Sequence, residues 1–90
     1  MSPAAAPLRP SPDVVSRSVG SAAVLIHLGT NRIFELNATG SRIWALLEQG
    51  LDRDAVCAHI RQEFDAPEAE AEQAVADLLA ELTREQLIRA

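Results

Sequence analysis

Hydrophobic positions change their rhythm once along this chain. Up to Leu36 they fall in short β-branched or alternating runs, and from Asn37 onward they recur with the spacing of a helix. The first stretch, "DVVSRSVGSAAVLIHLGTNRIFEL", is interrupted at Gly20-Ser21 and at Gly29-Thr30-Asn31, two turn signals. This predicts three short antiparallel strands, about Val14 to Ser18, Ala22 to Leu28 and Arg32 to Leu36.

In the second stretch Gly40, Ile43, Trp44, Leu47 and Leu51 share one helical face. Asn37 stands where the last strand ends and this helix begins, so its side chain can accept from an exposed N–H of the first turn. Gly50 supplies a left-handed stop. Asp52 is placed to cap a second helix with a Val56, Ile60 and Phe64 stripe, and Asp65-Ala66-Pro67 ends it and starts a third. The third helix carries Ala71, Val75, Leu78, Leu79 and Leu82 on one side. Glu68, Glu70 and Glu72 lie in its first turns, where the helix dipole favours acids. Leu87 and Ile88 are expected to tuck beneath its end. The expected fold class is α+β, a three-stranded antiparallel sheet followed by three helices.

Residues 1 to 12, "MSPAAAPLRPSP", are rich in Pro and Ala and offer little to bury, so they read as a flexible tail before a domain over residues 13 to 90. At 90 residues the chain suffices for one small domain, which buries roughly 60 to 65% of its unfolded surface and leaves little room for a large cleft. No apolar run reaches the length of about 18 that spans a bilayer. The N-terminus lacks the charged start and apolar core of a signal peptide, so a cytoplasmic location is expected. A single cysteine fits a reducing compartment. The net charge of −5, from thirteen acids and eight bases that are all Arg, disfavours a protein held by nucleic-acid phosphates.

The residues with chemical potential do not assemble into a catalytic set. Cys57 and His59 stand at i and i+2 on a helix, about 200° apart at roughly 100° per residue, and cannot meet. Cys57 reads as a small buried residue at the edge of its stripe. His27 is the only other histidine, and the three residues match no zinc or thiol-catalysis spacing. Asn37-Ala38-Thr39 fits the glycosylation acceptor pattern, which means little without a secretory signal. Trp44, the chain's one tryptophan, lies on the apolar stripe and reads as a core anchor against the sheet. No catalytic residue, metal site or cofactor is expected.

With Leu36-Asn37, Gly40, Ile43-Trp44, Gly50-Leu51, Ile60 with Phe64, and the closing series Leu78, Leu79, Leu82, Leu87 and Ile88, the stretch from about Val14 to Ile88 resembles the PqqD family and its relatives. These are small domains that recognise leader peptides of ribosomally made, post-translationally modified peptides. The resemblance implies a winged helix-turn-helix-like fold and no chemistry of its own. It also implies a leader peptide held as an extra strand along the third strand, in a groove walled by the third helix. There the leader would be presented to a modifying enzyme: a radical enzyme in pyrroloquinoline quinone synthesis, or a leader peptidase and cyclase in lasso-peptide pathways. The lasso type or a related peptide is the better match. Carried onto this chain, the peptide-binding positions are Arg32, Ile33, Phe34, Glu35 and Leu36 on the strand. On the helix, periodicity supplies Ala76, Leu79 and Thr83.

Physical reasoning leads to the same strand. A three-stranded sheet leaves an edge with unpaired N–H and C=O groups, and "RIFEL" holds no Pro or Lys to blunt it. The alternative is that the tail or a second subunit, as in a homodimer, covers that edge. Two other functions compete. A winged-helix DNA-binding regulator needs a basic third helix, yet every charged residue between Arg61 and Arg84 is acidic. An acyl carrier needs an exposed serine at a helix start. Ser41, between Gly40 and Arg42, does not resemble the carrier motif, and three leading strands do not suit that fold.

Overall fold

The computed structural model describes residues 8–89. Its elements run β1 (Arg9–Pro10), β2 (Val14–Val19), β3 (Ala22–His27), β4 (Arg32–Leu36), α1 (Ala38–Glu48), α2 (Arg53–Glu63), α3 (Glu68–Arg84) and β5 (Ile88–Arg89). Strands β2, β3 and β4 form an antiparallel meander in that spatial order. The α+β arrangement expected from the change of rhythm, three strands and then three helices, is the one observed.

Register decides which side chains meet the helices. Val15 lies opposite Ile26 and Ile26 opposite Ile33, while Leu25 lies between Ser16 and Phe34. Because successive side chains leave opposite faces of a strand, Ala23, Leu25, His27 and Leu36 turn to the core, and Ile33 and Glu35 turn to solvent. Helix α1 packs against β3 and β4, and α2 packs against α1 and α3. Ile43, Trp44 and Leu47 are buried on α1, as the stripe predicted, and Leu46 beside them is fully buried as well.

The helix ends explain themselves locally. Asn37 Oδ1 accepts from the Gly40 N–H at 2.8 Å, and Asp52 Oδ1 from the Ala55 N–H at 2.8 Å, so both expected caps form. A Cβ on Gly40 would lie 3.2 Å from Asn37 Oδ1 and 3.4 Å from Leu36 Cβ, so glycine lets the cap and the strand end close on the helix. At the other end Gly50 has φ +88°, its N–H donates to the Leu47 carbonyl, and Leu51 donates to Leu46. Helix α3 stops in the same way on a residue that is not glycine. Gln86 has φ +61° and donates to Thr83, and Leu87 donates to Leu82.

His27 braces that turn. Its Nδ1 accepts from the N–H groups of Gly29 (3.1 Å) and Thr30 (3.2 Å), which leaves the proton on Nε2 to donate to the Gln86 carbonyl at 3.1 Å. Both ring nitrogens of this buried side chain are therefore committed to backbone.

Four sequence expectations need correction. Of the tail expected over residues 1 to 12, positions 1–7 lie outside the described residues, but from Leu8 on the chain is engaged. Leu8 packs on the core, Arg9–Pro10 pairs antiparallel with Ile88–Arg89, and the Ser11 N–H donates to the Leu87 carbonyl at 2.8 Å. Once Leu87 and Ile88 are buried they present an edge that this segment covers. Leu28 lies past the end of β3 and is exposed. Phe64 falls at the C-cap of α2, where the helix has ended, and is 42% exposed instead of completing the Val56 and Ile60 stripe. Leu78, read as part of the core face of α3, is only partly buried.

Candidate functional site

Strand β4 has β3 on one side and, among the described residues, no strand on the other. Arg9–Pro10 pairs with β5, so among the described residues no other strand covers this edge. Main-chain donors and acceptors are therefore available along Arg32 to Leu36, the requirement for β-strand addition.

Where β4 gives way to α1, the chain forms one wall of a groove of about 370 Å³. Asn37, Thr39, Gly40 and Ile43 line that wall, and Ala74, Asp77, Leu78 and Glu81 of α3 line the other. The α3 residues follow i, i+3, i+4 and i+7, which is one helical stripe beside the buried Ala71, Val75, Leu79 and Leu82 stripe. One turn beyond Glu81, Glu85 accepts from Arg32 of β4 at 2.6 Å, which ties the start of β4 to the end of α3. Arg32 also lies over the Phe34 ring, 5.2 Å from its centroid.

The strand positions named from sequence divide between two faces. Arg32, Phe34 and Leu36 lie on the helix side, with Leu36 buried and Phe34 half-buried against the core. Ile33, 68% exposed, and Glu35 lie on the outer face of the sheet. Their backbones belong to the edge, but their side chains do not face α3. The helix positions fare differently. Leu79 is a core residue at 6% exposure, and Thr83 lines a separate cavity with Ser11, Asp13 and Gln86, its hydroxyl donating to the Leu79 carbonyl at 2.7 Å. Ala76 is partly buried and does not line the groove. Of the residues that do, Leu78 was read as core and Ala74, Asp77 and Glu81 were not named, because helical periodicity alone does not say which stripe of α3 borders the groove. Their signal was a second stripe, half apolar and half acidic, next to the first.

A larger cavity of about 540 Å³ lies between α2 and α3, lined by Arg53, Asp54, Cys57, Arg61, Glu68 and Glu72 among others. Burial pushes the Cys57 thiol up from its ordinary range, the wrong direction for a nucleophile. His59 points elsewhere, its Nδ1 3.4 Å from Glu63. Among the described residues no three His, Cys, Asp or Glu side chains gather as a metal site, and no helix is long and apolar enough to cross a membrane. The groove at the strand edge is thus the place where backbone, apolar surface and charge converge.

Two solved structures share the fold. One is TbiB1 in complex with the TbiA(beta) leader peptide, at 34% identity and a TM-score of 0.86, covering 91% of this chain and 95% of that one. The other is lasso peptide synthetase B1 complexed with the leader peptide, at 20% identity and a TM-score of 0.82, covering 92% and 98%. No match was found among curated proteins. Residues 22–88, from the start of β3 to the first residue of β5, match the family described as coenzyme PQQ synthesis protein D (PqqD). This chain belongs to the PqqD family.

Proposed function

We propose that this chain is a recognition protein without catalysis of its own. It holds the leader of a ribosomally made precursor peptide as an added strand along β4 and presents it to a modifying enzyme in the cytoplasm. A leader peptidase and cyclase of the lasso type fit better than a radical enzyme, because both structural neighbours bear leader peptides and one is a lasso peptide synthetase subunit. The observation that carries the reading is the uncovered β4 edge beside a groove walled by α3, in a chain 34% identical to a leader-peptide-binding protein.

Backbone pairing supplies much of the affinity in such a mode, and pockets for alternate side chains supply specificity. A dissociation constant of order micromolar or tighter is expected, about −8 kcal/mol or better. DNA binding is not favoured, since α3 would meet phosphates with Glu68, Glu70, Glu72, Asp77 and Glu81.

The test uses peptides selected from a displayed random library against the full chain. Single amides of the best binder are N-methylated in turn and affinity is measured by calorimetry. Loss at every second position is expected, since only alternate amides of an added strand point at β4. A weak, uniform effect along the peptide would rule out strand addition.

A further inference from the structure

The groove carries a chemical preference of its own, which rests on the strand-addition reading and goes beyond it. Gly40 and Ile43 on one wall and Ala74 and Leu78 on the other give it an apolar lining, and Asp77 and Glu81 stand along the α3 wall. Among the described residues no basic side chain lines it. Asp77 accepts from Gln73 Nε2 at 2.7 Å, and among the described residues no cation pairs with it. Glu81 has only Arg84 of its own helix, at 3.8 Å.

Asp77 and Glu81 of α3 and Glu85 at its C-cap recur every four residues and form one ladder. At its last rung the protein supplies the counter-charge from the strand side, with Arg32 of β4 reaching Glu85 at 2.6 Å. The two rungs at the groove receive nothing equivalent. A strand added beside β4 would occupy the position from which a cation meets them. The spacing also suits it. Four residues of helix advance about 6 Å, and two residues of strand advance about 6.6 Å. Successive side chains on one face of an added strand therefore keep step with Asp77 and Glu81, and with Ala74 and Leu78.

We propose that the groove selects leader peptides carrying an Arg or Lys two residues from an apolar anchor, the anchor seated on Ile43 and Leu78 and the cation on Asp77 and Glu81. Peptides with an acid at the cationic position are repelled, which gives the domain a means of refusing leaders whose apolar pattern alone would fit.

The library selection is run on the full chain, on Asp77→Asn/Glu81→Gln and on Asp77→Lys/Glu81→Lys, each checked for an unchanged helical spectrum. The natural chain is expected to enrich Arg or Lys at one position two residues from an apolar one. The amide variant should keep the apolar anchor and lose the basic preference, and the Lys variant should replace it with Asp or Glu. Changing the enriched cation to Ala should weaken binding to the natural chain about fivefold at low salt, the size of an exposed or half-exposed ion pair. The same change should have no effect on the amide variant. Selected peptides with an apolar anchor but no basic preference, or a preference that survives in the amide variant, would overturn the proposal while the alternating N-methyl pattern still upheld strand addition. Loss of that alternation with the charge preference intact would overturn strand addition alone. A folded Lys variant that still enriches Arg or Lys would also defeat the assignment to Asp77 and Glu81.

Discussion

Helices α1 and α3 meet the strands in opposite ways. Helix α1 lays Ile43, Trp44 and Leu47 on the sheet, each at most 3% exposed, and nothing separates the two. Helix α3 buries Ala71, Val75, Leu79 and Leu82 on its core side, yet the stripe beside them, Ala74, Asp77, Leu78 and Glu81, stands open across a groove from the end of β4. Both helices are amphipathic, so amphipathicity does not distinguish them. An acid at every fourth position does, because a carboxylate cannot be buried unpaired without a large desolvation cost. The protein closes where its stripe is purely apolar and stays open where it is mixed.

The closed side is the more costly to break. Trp44→Ala should destabilise by about 3–5 kcal/mol, a large share of the stability of so small a domain. Peptide binding is expected to vanish with the folded state. Among the described residues the buried indole Nε1 has no hydrogen-bond partner, so the contribution of Trp44 comes from its packing. Thermal unfolding measures the loss, and an unchanged midpoint would mean that α1 is not anchored by this ring.

Two neighbours on α3 sharpen the contrast. Leu79→Ala opens a cavity in the core and should cost about 2–5 kcal/mol. Leu78→Ala removes a half-buried side chain from the groove wall and should cost about 1 kcal/mol while lowering peptide affinity in the folded protein. Equal destabilisation by the two would erase the distinction between core stripe and groove stripe. Parallel thermal melts and calorimetric titrations separate the outcomes.

The junction between the two regions is tuned more gently. Asn37 caps α1 and also lines the groove. Asn37→Ala should cost about 1 kcal/mol, and Asn37→Asp should be nearly neutral for stability because a carboxylate accepts the same N–H at the positive end of the helix dipole. Denaturant titration of both variants checks this.

Much of the fold was legible because its signals are local. The turn at Gly29 to Asn31, the caps at Asn37 and Asp52 and the stop at Gly50 each act within a few residues, and all are found where the sequence placed them. The edge strand was legible too, since a short sheet must end somewhere and "RIFEL" has nothing to blunt it. What escaped depends on partners far along the chain. Pairing of Arg9–Pro10 with Ile88–Arg89 needs both ends of the domain at once. Gln86 adopts a left-handed conformation that its type does not announce, with its carbonyl held by His27 from 59 residues away. For a related reason Ala76, Leu79 and Thr83, named from periodicity, do not line the groove. Periodicity says which face of α3 is most apolar, but only the position of β4, marked by Arg32 on Glu85, says which neighbouring stripe it confronts.

The smallest expected effect concerns how α1 and α2 are tied behind the site. Arg42 of α1 donates to Glu63 of α2 through Nε at 2.6 Å and through a terminal nitrogen at 3.0 Å, a two-point contact between the helices. The Arg42 hydrogen bond holds the Glu63 carboxyl below its ordinary range, with a smaller contribution from His59. A carboxyl whose folded pKa is depressed stabilises the fold at pH above its unfolded value of about 4.3, and that contribution disappears as pH falls through the lower folded value. Glu63→Gln should therefore melt slightly below the natural chain at neutral pH, and the two melting curves should converge as acid protonates Glu63 in both states. High salt should shrink the gap at neutral pH, because the pair is exposed and screened. A difference that persisted unchanged into strong acid would mean that the charge on Glu63 is not what ties the helices together.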